Sequence, residues 1–280
     1  MTDSLNISRR SFAVMAASAL AACGPRVPAS NVDIVAPTPL PVAPGYEALF
    51  DAGYNLPAIP GEYTVGINRR MSGEYLGEAP PNTLDVDPYA KFLYHVKEDG
   101  SAVRYPVGVG RAGRSFSGVG VIRVKKKWPG WTPTANMLRT EPDIYGPFRK
   151  GIPGGLRSPL GARALYLYRN GRDTYYRVHG TNDLNSIGNS GSAGCIRMFN
   201  QDIIHLYDAI ETGVTVRVRS EAESLRVDPE NFNRGVELAA KQLDPEDVYG
   251  EEALARDRPP DFDAIDPNAA VEDILTGLDT

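Results

Sequence analysis

Two side chains sixteen positions apart, His179 and Cys195, are of the types that activate a sulfur nucleophile. A free thiol is only slightly ionised near neutral pH. An imidazole that accepts its proton gives a thiolate–imidazolium pair of far greater nucleophilicity. Such a thiolate attacks an amide carbonyl, and the imidazolium then protonates the departing amine. Cys195 lies in the run Ser192-Ala193-Gly194-Cys195-Ile196-Arg197. Gly194 permits close backbone approach to the reacting carbonyl, and the amides of Gly194 and Cys195 are candidate donors to an oxyanion. Taken singly, Cys195 would read as a small buried hydrophobe and His179 as a hydrogen-bonded strand-end residue. The other histidines, His95 between Tyr94 and Val96 and His205 in a helical segment, are expected to pack or to lie at the surface. Three histidines and no cysteine pair give no ligand spacing for zinc, so no metal and no cofactor is expected.

These residues need elements to hold them. Lys91 to Lys97 and Ala102 to Val109 flank the turn Asp99-Gly100 and predict a hairpin. Val119 to Lys125 predicts a further strand. Residues 128–161 are dense in Pro and Gly and predict a long loop, packed through Trp128 and Trp131 as one wall of a cleft. Ala162 to Arg169 and Asp173 to His179 flank Asn170-Gly171, a strong two-residue turn signal. His179 thus ends a strand, and a polar, Gly-rich loop leads on to Cys195. Residues 200–211 have helical spacing (Ile203, Ile204, Leu206, Tyr207, Ile210), with Asn200 as cap and Gly213 past the end. Val214 to Val218 alternates as a last strand. The expected fold class is mainly β, a β-rich α+β domain with one clear helix after the cysteine.

The chain of 280 residues begins like an export signal. Arg9-Arg10 is a twin-arginine pair, Phe12 to Ala22 is an apolar run too short to span a membrane, and Leu20-Ala21-Ala22-Cys23 resembles a lipoprotein cleavage box. In that reading Cys23 is lipidated and Cys195 is the remaining thiol, since the chain has two cysteines. The expected division is a signal peptide at 1–22, a Pro/Ala-rich tether at 23–60, an uncertain wrap at 61–87, a catalytic domain at 88–219 and an acidic extension at 220–280. Residues 220–280 hold 17 acidic and 5 basic residues, so the −5 net charge hides a basic body with an acidic tail. Such a body suits an anionic polymer or surface, although solubility alone accounts for it equally. The tail is expected either as a solvated extension, with short helices near 233–243 and 269–277, or folded back over the body.

The string His179-Gly180-Thr181-Asn182 followed by Ser192-x-Gly194-Cys195-Ile196-Arg197-Met198 resembles the signature of L,D-transpeptidases, the YkuD-like family. Ser158 to Leu165 and Tyr105 to Gly110 are similar to what accompanies it, and the resemblance covers about 88–219. One departure is Ala193, where the family pattern has a histidine before Gly-Cys. The resemblance implies a β-sandwich of the L,D-transpeptidase type. Cys195 would attack the third residue of a peptidoglycan tetrapeptide stem and expel the terminal D-alanine, with His179 moving the proton. An amine then captures the acyl group, giving a 3-3 cross-link or attaching an envelope protein to the wall. Capture by water would make the enzyme an L,D-carboxypeptidase, and loss of the Ala193-position histidine leaves open an idle peptidoglycan-binding lipoprotein. Arg197 is assigned to a substrate carboxylate or to a structural ion pair. Ser192, Gly180, Thr181 and Asn182 orient the loop or the substrate. The implied setting is the periplasmic face of the envelope, reached through the lipid anchor, with no nucleic-acid partner.

Overall fold

The computed structural model describes residues 38–110, 116–192, 194–239 and 243–256, with the Ser192 side chain left out. The chain divides after Thr38, and everything below concerns the unit that begins at Pro39. The expected signal segment, Cys23 and the helix near 269–277 lie outside the described residues.

The strands are β1 (Leu49–Asp51), β2 (Tyr54–Leu56), β3 (Met71–Glu74), β4 (Thr83–Asp87), β5 (Phe92–Val96), β6 (Ser101–Pro106), β7 (Val109–Gly110), β8 (Gly118–Lys127), β9 (Arg163–Arg169), β10 (Arg172–Gly180), β11 (Ser190–Ser192), β12 (Ile196–Met198) and β13 (Thr215–Val218). The helices are short: α1 (Ala135–Thr140), α2 (Pro142–Tyr145), α3 (Asn200–Ala209), α4 (Glu221–Val227), α5 (Pro245–Tyr249) and α6 (Glu251–Arg256). The domain is mainly β, and α3 is the helix that follows Cys195.

Nine strands form one mixed sheet in the order β12-β10-β9-β8-β13-β4-β5-β6-β3. Laid flat, β12 and β6 would stand roughly 34 Å apart at the usual strand spacing. Gly108, just past β6, nevertheless exchanges backbone hydrogen bonds with Arg197 of β12 (2.9 and 2.8 Å). The sheet therefore curls until its far strands meet, and the two walls enclose one core. Leu84, Leu93, Tyr105, Ile122, Leu165, Val178, Ile196 and Met198 all belong to that core, and Ile203 and Leu206 of α3 join it.

The β9–β10 hairpin turns on Asn170 and Gly171, both at positive φ (51° and 76°), as a two-residue turn matched to strand twist requires. It pairs Arg169 with Arg172 and Leu165 with Val178. The long loop keeps its Pro/Gly character but carries α1 and α2, which the spacing did not suggest.

Three expectations need correction. Residues 39–60 are not part of a tether. Tyr46 is buried, Asp51 forms a bidentate pair with buried Arg163 (2.6 and 2.7 Å), and Asp51 also accepts from Trp128 Nε1 (2.7 Å). Proline-rich composition hid these anchors, because each is a single residue whose partner lies far along the chain. Asn200 does not cap α3: Phe199 holds that position, and Asn200 is the first helical residue. Nor do residues 233–239 form a helix. They run beside β11, with Ser190 bridged to Glu237 in parallel.

Candidate active site

The site grows from the parallel pairing of β10 with β12, which sets Val178 opposite Ile196, His179 opposite Arg197 and Gly180 opposite Met198. Side chains alternate along a strand, and Val178 and Ile196 point into the core. His179 and Arg197 therefore share the other face. Cys195 lies immediately before β12, next to Ile196. The parallel register thus sets Arg197, two residues past Cys195, opposite His179, across the loop that separates them in sequence.

His179 is buried, and its Nδ1 lies 2.6 Å from the carbonyl oxygen of Gly180. A carbonyl only accepts, so Nδ1 carries the ring proton. In the neutral ring that leaves Nε2 as the atom with a lone pair. Burial, assisted by Arg197, pushes the imidazole pKa down to about 3, while the Gly180 carbonyl opposes the shift. Cys195 is a free cysteine, partly buried, with Sγ 4.0 Å from the Tyr175 carbonyl oxygen. Burial pushes its thiol up; the Arg177 backbone amide and the Arg177 and Arg197 guanidiniums pull it down. Burial thus disfavours the charged form of each group, the imidazolium of His179 and the thiolate of Cys195.

The sulfur sits against an irregularity in β10. Pairing with β9 shifts register between Asp173 and Arg177, and within the bulge Tyr175 adopts φ 62°. Asp173 stabilises that shape by accepting the Tyr175 amide (2.8 Å) and both terminal nitrogens of Arg177 (2.7 and 2.8 Å). Burial works against the Asp173 charge, but the Arg177 hydrogen bonds outweigh it and the carboxyl stays below its ordinary range. Arg177 also lies 4.1 Å over the Tyr166 ring. Bulges re-aim backbone groups, and this one turns the Tyr175 carbonyl toward Sγ. Neither Asp173 nor Arg177 was singled out from sequence. A bulge leaves no pattern signal, and Asp–x₃–Arg in a strand reads as surface charge.

Past the histidine, Gly180 lies where a Cβ would fall 2.1 Å from Asn200 Oδ1, so only glycine fits. Asn200 accepts the Ala162 amide (2.9 Å) and donates to the carbonyl of Thr181 (3.3 Å). It locks the end of the His179 strand to the start of β9, which is why it is unavailable as a cap. The Thr181 hydroxyl accepts the Asp183 amide (3.1 Å), and the Asn182 amide donates to Leu156 O in the long loop. Arg197 pairs with Asp183 (3.2 Å). Gly194 is buried at φ 134°, a conformation that side-chain-bearing residues rarely adopt. Ala193 is outside the described residues. Helix α3 begins five residues beyond Cys195. His95 is buried beside Lys97, and His205 Nδ1 lies 2.8 Å from the Tyr105 hydroxyl. Among the described residues, no cluster of three or more His, Cys, Asp or Glu side chains could hold a metal.

Comparison with known proteins gives this constellation a family. Residues 81–218 match the L,D-transpeptidase catalytic domain, YkuD. The Escherichia coli protein named probable L,D-transpeptidase ErfK/SrfK is 33% identical over 144 residues, 50% of this chain and 45% of its own. The chain thus spans about half the length of the curated relatives it matches. A solved Brucella melitensis structure, described as a probable carnitine operon oxidoreductase, is 40% identical. The match covers 54% of this chain and 93% of that one at a TM-score of 0.38, too low for the superposition to carry an argument. A Fuscovulum blasticum protein of the ATP synthase subunits region, named as an L,D-transpeptidase, is 31% identical, and the match covers 48% of this chain and 68% of that one. On that similarity, and on the motif spanning His179 to Met198, the chain belongs to the L,D-transpeptidase catalytic-domain family.

Proposed function

We propose that this chain is a peptidoglycan L,D-transpeptidase that uses Cys195 as nucleophile and His179 as general base and acid. The observation that carries this reading is the tautomer of His179, set on the strand opposite the residues that follow Cys195: its Nδ1 proton is committed to Gly180 O, which leaves Nε2 as the base. As Sγ attacks the carbonyl of the third stem residue, Nε2 takes the thiol proton. The tetrahedral oxyanion is held by backbone amides near Gly194 and Cys195. Its collapse breaks the bond to D-alanine, whose amine leaves with the proton from the imidazolium, and a thioester remains on Cys195. An acceptor amine then attacks the thioester and gives a proton to Nε2, and the thiol leaves protonated. An amine from a second stem makes a 3-3 cross-link, an amine of an envelope protein tethers that protein, and water makes the chain a carboxypeptidase.

Two groups whose charged forms burial disfavours fit a transfer concerted with attack, in which substrate desolvation and the arginines offset the cost of separating charge. Arg177 and Arg197 favour a thiolate over an imidazolium, so negative charge developing on sulfur is the better-supported half of the transition state. Ala193 is no obstacle here, since the strand-end histidine is the one set for proton transfer. The proposed setting is the periplasmic face of the envelope, with the protein exported by its twin-arginine segment and anchored through lipid on Cys23. The test is incubation with purified disaccharide-tetrapeptides and mass spectrometry of protein and products, with Cys195→Ser in parallel. Expected are a thioester adduct on the Cys195 peptide and release of D-alanine. Intact substrate with an unmodified, folded wild-type protein would refute the reading.

A further inference from the structure

Residues C-terminal to the matched stretch 81–218 make a backbone seam with the strand that leads to Cys195. We infer that the segment 234–238 is a positioning element for the nucleophile, an inference that rests on the assignment of Cys195 proposed above. Ser190 donates its amide to Val236 O (2.9 Å) and accepts the Leu238 amide (2.6 Å), so the segment adds a third strand to β11, whose other edge pairs with β7. The Asn189 side chain accepts the Val236 amide (2.9 Å). The seam is built for close approach. A Cβ on Gly235, at φ 79°, would fall 2.0 Å from Gly188 O, and one on Gly191 would fall 3.0 Å from Leu238 Cβ. Arg234 fixes the entry to the seam by donating to Asn68 Oδ1 (3.1 Å) and stacking 4.5 Å over Phe92.

The far side of the tail is anchored independently on the long loop. Leu243 and Val248 pack with Phe148 and Ile152, and the Tyr249 hydroxyl donates to Gly151 O (2.9 Å). The described parts of the tail thus contact both the strand before the nucleophile and the loop that also receives Asn182. Cys195 lies five residues beyond Ser190, and among the described residues the three-residue β11 meets the tail segment on this edge. Freeing that edge lets the Cys195 backbone shift, and an ångström of misplacement at a reacting atom is costly.

The test compares full-length Leu238→Pro, which removes the amide donated to Ser190, with Leu238→Ala, which keeps it. Leu238→Pro is expected to slow acylation of Cys195 by about tenfold or more with little change in KM, and to speed hydrogen exchange at the Ser190 amide. Leu238→Ala should stay within about twofold of wild type on both counts, since it keeps every seam hydrogen bond. Rapid exchange at Ser190 together with wild-type acylation by Leu238→Pro would overturn the inference. Should Leu238→Pro fail to fold, Gly235→Ala wedges the same seam and is read the same way. Should wild type form no acyl adduct, the nucleophile assignment has failed by itself. The seam is then still judged by Cys195 alkylation rates in the same variants, and equal rates despite an exchanging Ser190 amide count against it.

Discussion

The main sheet contains two parallel ladders, β10–β12 and β13–β4, and each is flanked by two arginines. They treat charge in opposite ways. In β13–β4, Arg219 is buried and bonded to Asp85 (2.7 Å) and Asp87 (3.1 Å), while Ser224 of α4 donates to Asp87 (2.7 Å). Arg217 there pairs with Glu223 and lies 3.6 Å from Asp85. In β10–β12, Arg177 and Arg197 take their carboxylates from Asp173 and Asp183, outside the ladder. The titratable groups they act on are an imidazole and a thiol, in each of which burial disfavours the charged form. One ladder spends its charges on holding the fold. The other sets its cations to act on two groups whose charged forms burial disfavours, and the charge they favour is the one a reaction would create on sulfur.

Breaking the second ladder should abolish chemistry and spare the fold. Cys195→Ser is expected to leave no acyl adduct, and His179→Gln to slow acylation by roughly 10²- to 10⁴-fold, both with near-native circular dichroism. Breaking the first should do the reverse. Arg219→Met strands two buried carboxylates and should cost about 3–5 kcal/mol in urea unfolding, with the acylation rate per folded molecule unchanged. A large loss of rate in Arg219→Met at full folding would dissolve the contrast. Asn200→Ala tests the brace between the His179 strand and β9 and should cost about 1–3 kcal/mol, because it leaves the Ala162 amide and Thr181 carbonyl without their partner. The same variant should slow acylation, since it frees the end of the His179 strand.

A separate effect is a pH dependence of stability. In the unfolded chain His179 takes up a proton near pH 6.5, whereas in the fold it does so near 3. The unfolded state therefore binds more protons between those values, and stability falls as pH drops through that window. His95, lowered to about 4 by burial and Lys97, acts in the same direction. His179→Gln should make the loss of stability between pH 6.5 and 4 shallower without removing it, as read by thermal melts across that range. An unchanged slope would mean that the imidazole is not held neutral by the fold.

Much of the catalytic face could be read from residue order alone. Asn170-Gly171 set the hairpin and the hairpin set His179 at a strand end, whereas the short strand β12 after Cys195 was not foreseen. The mainly β class and the helix after the cysteine followed from two-residue and helical periodicity. What escaped were features made by single distant contacts. The β10 bulge depends on Asp173 meeting Arg177 across an irregular turn of backbone, and nothing in the alternation marks it. Asn200 looked like a cap because its type favours caps, but its tertiary partners at Ala162 and Thr181 outcompete that role. The segment 39–60 looked like a tether by composition, yet Tyr46 donates to Asp202 (3.0 Å) and Asp51 holds Arg163. The acidic tail was open to two readings, solvated or folded back, and composition could not foresee that Gly235 and Leu238 fit a seam made by the loop 188–191. Local pattern reports periodicity, and these contacts have none.

The central claim is a protonation state, and it can be observed directly. Nitrogen-15 spectra of histidine-labelled protein, with His179→Gln for assignment, should show His179 protonated at Nδ1 with a bare Nε2 and no titration from pH 8 to 5. An imidazolium signal at neutral pH, a midpoint near 6.5, or the proton on Nε2 would contradict the account.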